Sequence, residues 1–170
     1  RLRDAERTKK ALLKDIFSQI QVRLAGGQEV EGENLKDQIQ NAGEIACQRL
    51  YHKFKMADDK GWAKVFERAS KHADANALEA IAHNDDADKH PVCAEIKRFI
   101  GSMKPGKDIV DNFRQAPFGW SKDTIDGALL AMVAANILRA ADSQERAVDA
   151  KKLHRSSISQ TKFRPENITL

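Results

Sequence analysis

The sequence predicts a mainly α-helical protein, with a helical subdomain over residues 1–90 and a winged-helix-like module, three helices plus a β-hairpin, over residues 91–170. Three observations lead there. Apolar residues recur at i, i+3/i+4 spacing in successive stretches of the first hundred positions. Three more helical stretches follow between 91 and 138, separated only by Gly/Pro turns. Residues 138–142 and 146–149 then flank the polar turn Ser143-Gln144-Glu145, as two strands of a hairpin would. Three helices and a two-stranded ribbon are the winged-helix pattern, a relative of the helix-turn-helix.

Residues 2–20 form an amphipathic pattern, with Leu13, Ile16, Phe17 and Ile20 on one side and Arg7, Lys10 and Lys14 on the other. Either this helix continues to Leu24, or residues 21–24 and 28–31 pair as a small hairpin around Gly26-Gly27. The alternation of Val22, Leu24 and Val30 with polar residues favours the hairpin. Asn34 is placed to cap a helix over 35–55 whose core positions are Leu35, Ile39, Ala42, Ala46, Leu50 and Phe54. Asp58 or Asp59 opens the next, with Trp62, Val65, Phe66 and Ala69 inward, and Trp62 and Phe66 are expected at the joint with the winged module. A short helix over 75–82 contributes Leu78 and Ile81. The run HNDDADKH, 83–90, reads as a solvated loop. Pro91 suits the first turn of a helix carrying Val92, Ile96, Phe99 and Ile100, which Gly101 ends.

After the Pro105-Gly106 turn comes a short helix over 107–115, then the stretch FRQAPFGWSKDTIDGALLAMVAANILRA, 113–140. Pro117 and Gly119 break the chain there. Ser121 is positioned to cap a long helix over 121–138 by accepting from the amide of Thr124, and Asp123 and Asp126 suit its positive end. Ile125, Ala128, Leu129, Met132, Val133 and Ile137 make a core stripe, yet Leu130, Ala131, Ala134 and Ala135 leave the opposite face nearly as apolar. A helix so patterned is expected to be covered on most sides. Residues 157–164 are expected to add a strand.

At 41% hydrophobic and 32% charged, 170 residues suffice for one domain or two small ones with a real core. Residues 1–25 are charged throughout and no apolar run approaches the roughly 18 to 20 residues that span a bilayer, so a cytoplasmic protein without membrane contact is expected. Arg1 without a methionine, and a strand-like run ending at Leu170, suggest a piece of something longer. Cys47 and Cys93 have no CxxC neighbour and read as buried free thiols. The net charge of +4 lies wholly in residues 91–170, where thirteen Lys+Arg meet nine Asp+Glu; that surplus permits nucleic-acid binding without establishing it.

No motif amounts to an active site. GSMKPGKD, 101–108, has the Gly spacing and lysine of a phosphate loop, but Asp108 stands where Ser or Thr is needed and a helix precedes it instead of a strand. His83, Asp85, Asp86, His90 and Cys93 are metal-ligand types at a spacing that matches no zinc template. Ser156, Ser157 and Ser159 near His154 lack a Gly-flanked nucleophile turn and an acid. No catalytic, cofactor or metal residue is therefore assigned.

The long helix is a poor reader of bases, because Lys122 is its one early cation and Asp123 and Asp126 would repel phosphates. Candidate nucleic-acid contacts fall instead on the wing and tail, at Arg139, Arg146, Lys151, Lys152, Arg155, Lys162 and Arg164, with His154 beside them. The bland reading of these residues is a solvated rim. Phe113, Phe118 and Trp120 converge within eight positions; Phe118 and Trp120 serve either as core or, if exposed, as a partner contact.

Residues 49–66, RLYHKFKMADDKGWAKVF, and the APFGWSKDTIDGALL core of 113–140 resemble the large P-loop protein of the BREX bacteriophage-resistance system, a family that includes the phage-growth-limitation ATPase. The similarity extends over most of residues 33–165. It implies a fragment lying downstream of the nucleotide-binding core of a bacterial, cytoplasmic, AAA-like ATPase; ATP and Mg would belong to that parent, and the fragment itself would not hydrolyse ATP. Implied partners are other BREX components, including a methyltransferase, or other copies of the ATPase, with double-stranded DNA as the alternative. The expected role is an interaction and assembly module, ahead of an auxiliary DNA-binding one.

Overall fold

The structure, a computed structural model, describes residues 1–166 and is mainly helical, with six α-helices and one small antiparallel sheet. Contacts divide it into two units, Arg1–His52 and Lys53–Leu170.

In the first unit, α1 (Leu2–Gln19) buries no residue. The hairpin reading of 21–31 reduces to one bridge, Arg23 with Glu29, around Gly26 and Gly27, which take φ +95° and +83°. Helix α2 (Leu35–Leu50) starts as expected, the Asn34 side chain accepting from the Asp37 amide at 3.1 Å. Its expected core stripe is not buried: Ile39 and Leu50 are 57% and 55% exposed. The reason is that the hairpin reaches α2 through polar groups. The Val22 amide donates to Gln38 Oε1 at 2.9 Å, and Asn41 Nδ2 donates to the Glu31 carbonyl at 2.8 Å. Val30 is the unit's one buried residue.

The second unit holds the core. Helix α3 (Trp62–His72) buries Trp62, Val65, Phe66 and Ala69, as its periodicity predicts, but Gly61 and not an aspartate precedes it. Sequence spacing places α3 with the N-terminal helices; by contact it belongs here, because Trp62 and Phe66 lie in this core, where α3 meets the helix Lys122–Ala134. The stretch expected as a helix over 75–82 is a 3₁₀ segment, Ala77–Ile81. Nor is HNDDADKH simply solvated, since Ala87 is buried and His90 caps α4 (Pro91–Ile100), its Nδ1 accepting from the Val92 amide at 3.2 Å.

Helix α5 (Gly106–Arg114) and α6 (Lys122–Ala134) follow, and every residue of α6 from 124 to 133 is buried. It contacts α3, α4, α5 and the sheet. Gly127 marks the closest approach: a Cβ there would stand 2.9 Å from the Trp62 carbonyl oxygen, so an interior glycine, which costs a helix about 1 kcal/mol, is what lets α3 and α6 touch backbone to side chain. The helix stops at Ala134, four residues earlier than its apolar pattern suggests. Asn136 takes a left-handed φ of 56° and the Ile137 amide returns to the Met132 carbonyl at 2.9 Å, a closure of the Schellman type.

The sheet joins β1 (Lys104–Pro105), β2 (Leu138–Ala141), β3 (Ala147–Val148) and β4 (Lys162–Pro165) in the order β1-β4-β2-β3, all antiparallel. The β2-β3 hairpin forms as predicted. Asp142 Oδ1 accepts from the amides of Gln144 and Arg146 at 2.8 and 3.0 Å, and the bond from the Arg146 amide is the main reason its carboxyl lies below the usual carboxylate range. The strand expected over 157–164 starts late, because Ile158–Gln160 form a 3₁₀ turn first. Leu138, Ala140 and Phe163 face the core, which leaves the alternate positions outward.

Candidate functional site

The outward face of the sheet carries the cations. Arg139 on β2 and Arg164 on β4 are direct cross-strand partners, and both are exposed. Like charges set opposite one another across strands oppose folding by up to about 1 kcal/mol. Two residues before Arg164 on β4, on the same face, lies Lys162. A hollow of about 230 Å³ is lined by Arg139, Lys162, Arg164, Glu145 and Met103. A second, of about 380 Å³, lies between Arg139, Arg164, Glu166 and the Gly101-Ser102 turn.

Strand β3 pairs only with Ala140 and Ala141, so among the described residues no strand pairs with β2 at Leu138 and Arg139 on that side. There a larger groove of about 930 Å³ opens, lined by Arg139, Lys151, Lys152, Asp149 and Glu166. Arg139 borders all three hollows. Three carboxylates enter the strip: Glu166 pairs with Arg139 at 2.7 Å, Glu145 pairs with Lys162 at 3.4 Å, and Asp149 lines the groove beside Lys151 and Lys152. Among the described residues, no ion pair involves Lys151, Lys152 or Arg164.

The seven cations singled out in the sequence thus separate. Arg139, Lys151, Lys152, Lys162 and Arg164 share this strip. Arg146 is turned to Asp142 within the hairpin, at 2.8 Å. Arg155 lies elsewhere, paired with Asp123 and with its guanidinium 4.4 Å from the centroid of the Phe66 ring. The opposition of Arg139 and Arg164 could not be read from sequence, where the two lie 25 positions apart with β3 and two 3₁₀ turns between their strands.

Phe118 and Trp120 are core residues. They are 9% and 2% exposed, Trp120 stacks on Phe113 with 4.8 Å between centroids, and its indole Nε1 donates to the Lys53 carbonyl at 3.0 Å. Neither offers itself to a partner.

The remaining chemistry-bearing groups are engaged locally. In the phosphate-loop-like run, Gly101 ends α4 and the Gly106 amide donates to the Thr161 carbonyl at 2.7 Å, so the nitrogen that would cradle a phosphate already has a partner. His83 and His90 meet edge to face at 5.0 Å, and His90 does the same with Trp62 at 5.3 Å. Burial, reinforced by His83, pulls the His90 imidazole down to about 4, which keeps it neutral and able to accept as the cap of α4. Burial pushes the Cys93 thiol well up, whereas Cys47 is exposed, contrary to its expected burial. Asp126, fully buried on α6, is raised chiefly by burial; Lys122 holds it at 2.6 Å and its Oδ1 has no hydrogen-bond partner. Among the described residues, no helix is long and apolar enough to cross a membrane.

Comparison with protein-family models, with curated proteins and with solved structures returned no match.

Proposed function

We propose that the chain is a non-catalytic interaction and assembly module of a BREX-type bacteriophage-defence P-loop ATPase of the bacterial cytoplasm, coupling that ATPase to partner subunits or to its other copies. ATP and Mg belong to the parent's nucleotide-binding core. The observation that carries the reading is α1. Its apolar side is uncovered along its length, with Leu2, Leu12, Ile16 and Phe17 80%, 56%, 57% and 50% exposed. An isolated amphipathic helix is marginal in water, and its stability comes from a surface that accepts its apolar side. A second protein surface would supply that cover.

The second unit supports the same role as a winged-helix variant whose recognition helix has been taken inside. From α4 onward its helices and strands run α4, β1, α5, α6, β2, β3, β4, and β4 lies between β1 and β2 with β3 outermost. The helix that would enter a major groove in such a fold is α6, and α3 occupies its surface.

The test is sedimentation of the purified chain, alone and with purified BREX components including the methyltransferase. Association is expected, and the double variant I16E/F17E should abolish it while leaving the second unit's unfolding transition unchanged. Absence of any complex, or complexes indifferent to I16E/F17E, would refute the assembly reading.

A further inference from the structure

We propose that the cationic strip formed by Lys151, Lys152, Arg139, Arg164 and Lys162 is a landing site for the sugar-phosphate backbone of duplex nucleic acid, bound without regard to base sequence. This inference is independent of the assembly reading, which rests on α1.

The strongest support is the Arg139–Arg164 opposition. Nothing in the fold asks for two guanidinium groups on adjacent exposed positions of neighbouring strands, and their repulsion opposes strand pairing. Glu166 offsets only Arg139, at 2.7 Å, and leaves Arg164 to project its charge. A phosphate between the two strands would satisfy both forks with charge-assisted hydrogen bonds.

The layout selects a polymer over a small anion. The charges do not converge in an enclosed cavity. They follow a line across the sheet, from the groove at the free edge of β2, holding Lys151 and Lys152, past Arg139 to the hollow of Lys162 and Arg164. Successive phosphates of one strand suit such a line, and Lys and Arg side chains on a sheet surface contact them without reading bases. The strip has no aromatic side chain on which an unpaired base could stack, which favours duplex over single strand.

Fluorescence anisotropy with a labelled random-sequence duplex, at low and moderate salt, tests the assignment. Binding is expected at low salt, equal for two unrelated sequences and weakening with added salt. Arg164→Glu should weaken it at least about fivefold and lower the slope of log affinity against log salt by about one or more. K151E/K152E should weaken it similarly, and Lys64→Glu, on the exposed side of α3, should leave it unchanged. Because Arg164→Glu replaces a repulsion with a possible pair to Arg139, the variant should unfold at the same temperature as the unaltered chain or above it.

No binding at low salt would overturn the proposal. So would equal losses for Lys64→Glu and Arg164→Glu, which would mean attraction by net charge alone, or a drop in stability for Arg164→Glu, which would make the residue structural. Complete displacement of the duplex by millimolar inorganic phosphate, or tighter binding of single-stranded than of duplex DNA, would also contradict it.

Discussion

Trp120→Ala is expected to lower the free energy of unfolding of the second unit by about 3–5 kcal/mol, the range for removing a large buried aromatic. Two losses combine. The indole stacks on Phe113 with an interplanar angle of 6° and meets Phe118 edge to face at 4.9 Å, so its removal opens a cavity at the turn that launches α6. Its Nε1–H also satisfies the Lys53 carbonyl, which would be left unpaired in a partly buried place. Trp120→Phe keeps most of the stacking and loses the hydrogen bond, so it should cost about 1 kcal/mol through that bond, with a further contribution from the smaller ring. Urea denaturation followed by circular dichroism measures both. A loss below about 1 kcal/mol for the alanine variant would show that the aromatic cluster does not anchor the turn.

Gly106→Ala should be comparably severe, though it adds a single methyl. The Cβ would fall 1.9 Å from the carbonyl oxygen of Ile158, a backbone atom that cannot rotate away. Relief requires α5 to part from the 3₁₀ turn ahead of β4, which also strains the 2.7 Å hydrogen bond from the Gly106 amide to Thr161. Overpacking of this kind typically costs 1–3 kcal/mol, and the lost hydrogen bond about 1 more. Denaturant midpoints for Gly106→Ala and, as a reference, Gly43→Ala decide the matter. Gly43 has open space around its Cβ position on an exposed part of α2, so alanine there should be neutral or stabilising. Similar outcomes for the two variants would contradict the packing at Gly106.

Much of the second unit was legible because its signals are local. Ser121 capping α6, Pro91 opening α4, and the periodic Trp62, Val65, Phe66 and Ala69 of α3 depend only on neighbours a few residues away. The two-sided apolarity of α6 correctly implied cover on most sides. The end of α6 was overrun, since Asn136 adopting a left-handed turn competes with an apolar pattern that continues to Ile137. The first unit failed for a different reason. Helical spacing reports that a stripe exists and not that something covers it, and α2 keeps Ile39 and Leu50 exposed while its polar side chains hold the hairpin.

The candidate site was half legible. Residue type picked out the cations, but grouping them required the β2–β4 register, a long-range pairing. Ion pairs with Asp142 and Asp123 engage Arg146 and Arg155 away from the strip. The same geometry placed Phe118 and Trp120 inside, where residue type alone favoured the core and kept an interface as the alternative.

Hydrogen exchange of α6, with and without random duplex, tests most directly whether this helix is an interior element and not a reader of bases. Amides of residues 129–133 should exchange only through global unfolding of the second unit and should not respond to duplex, while any added protection appears on β2 and β4. Rapid exchange along α6 in the free protein, or new protection there when duplex is added, would contradict the account.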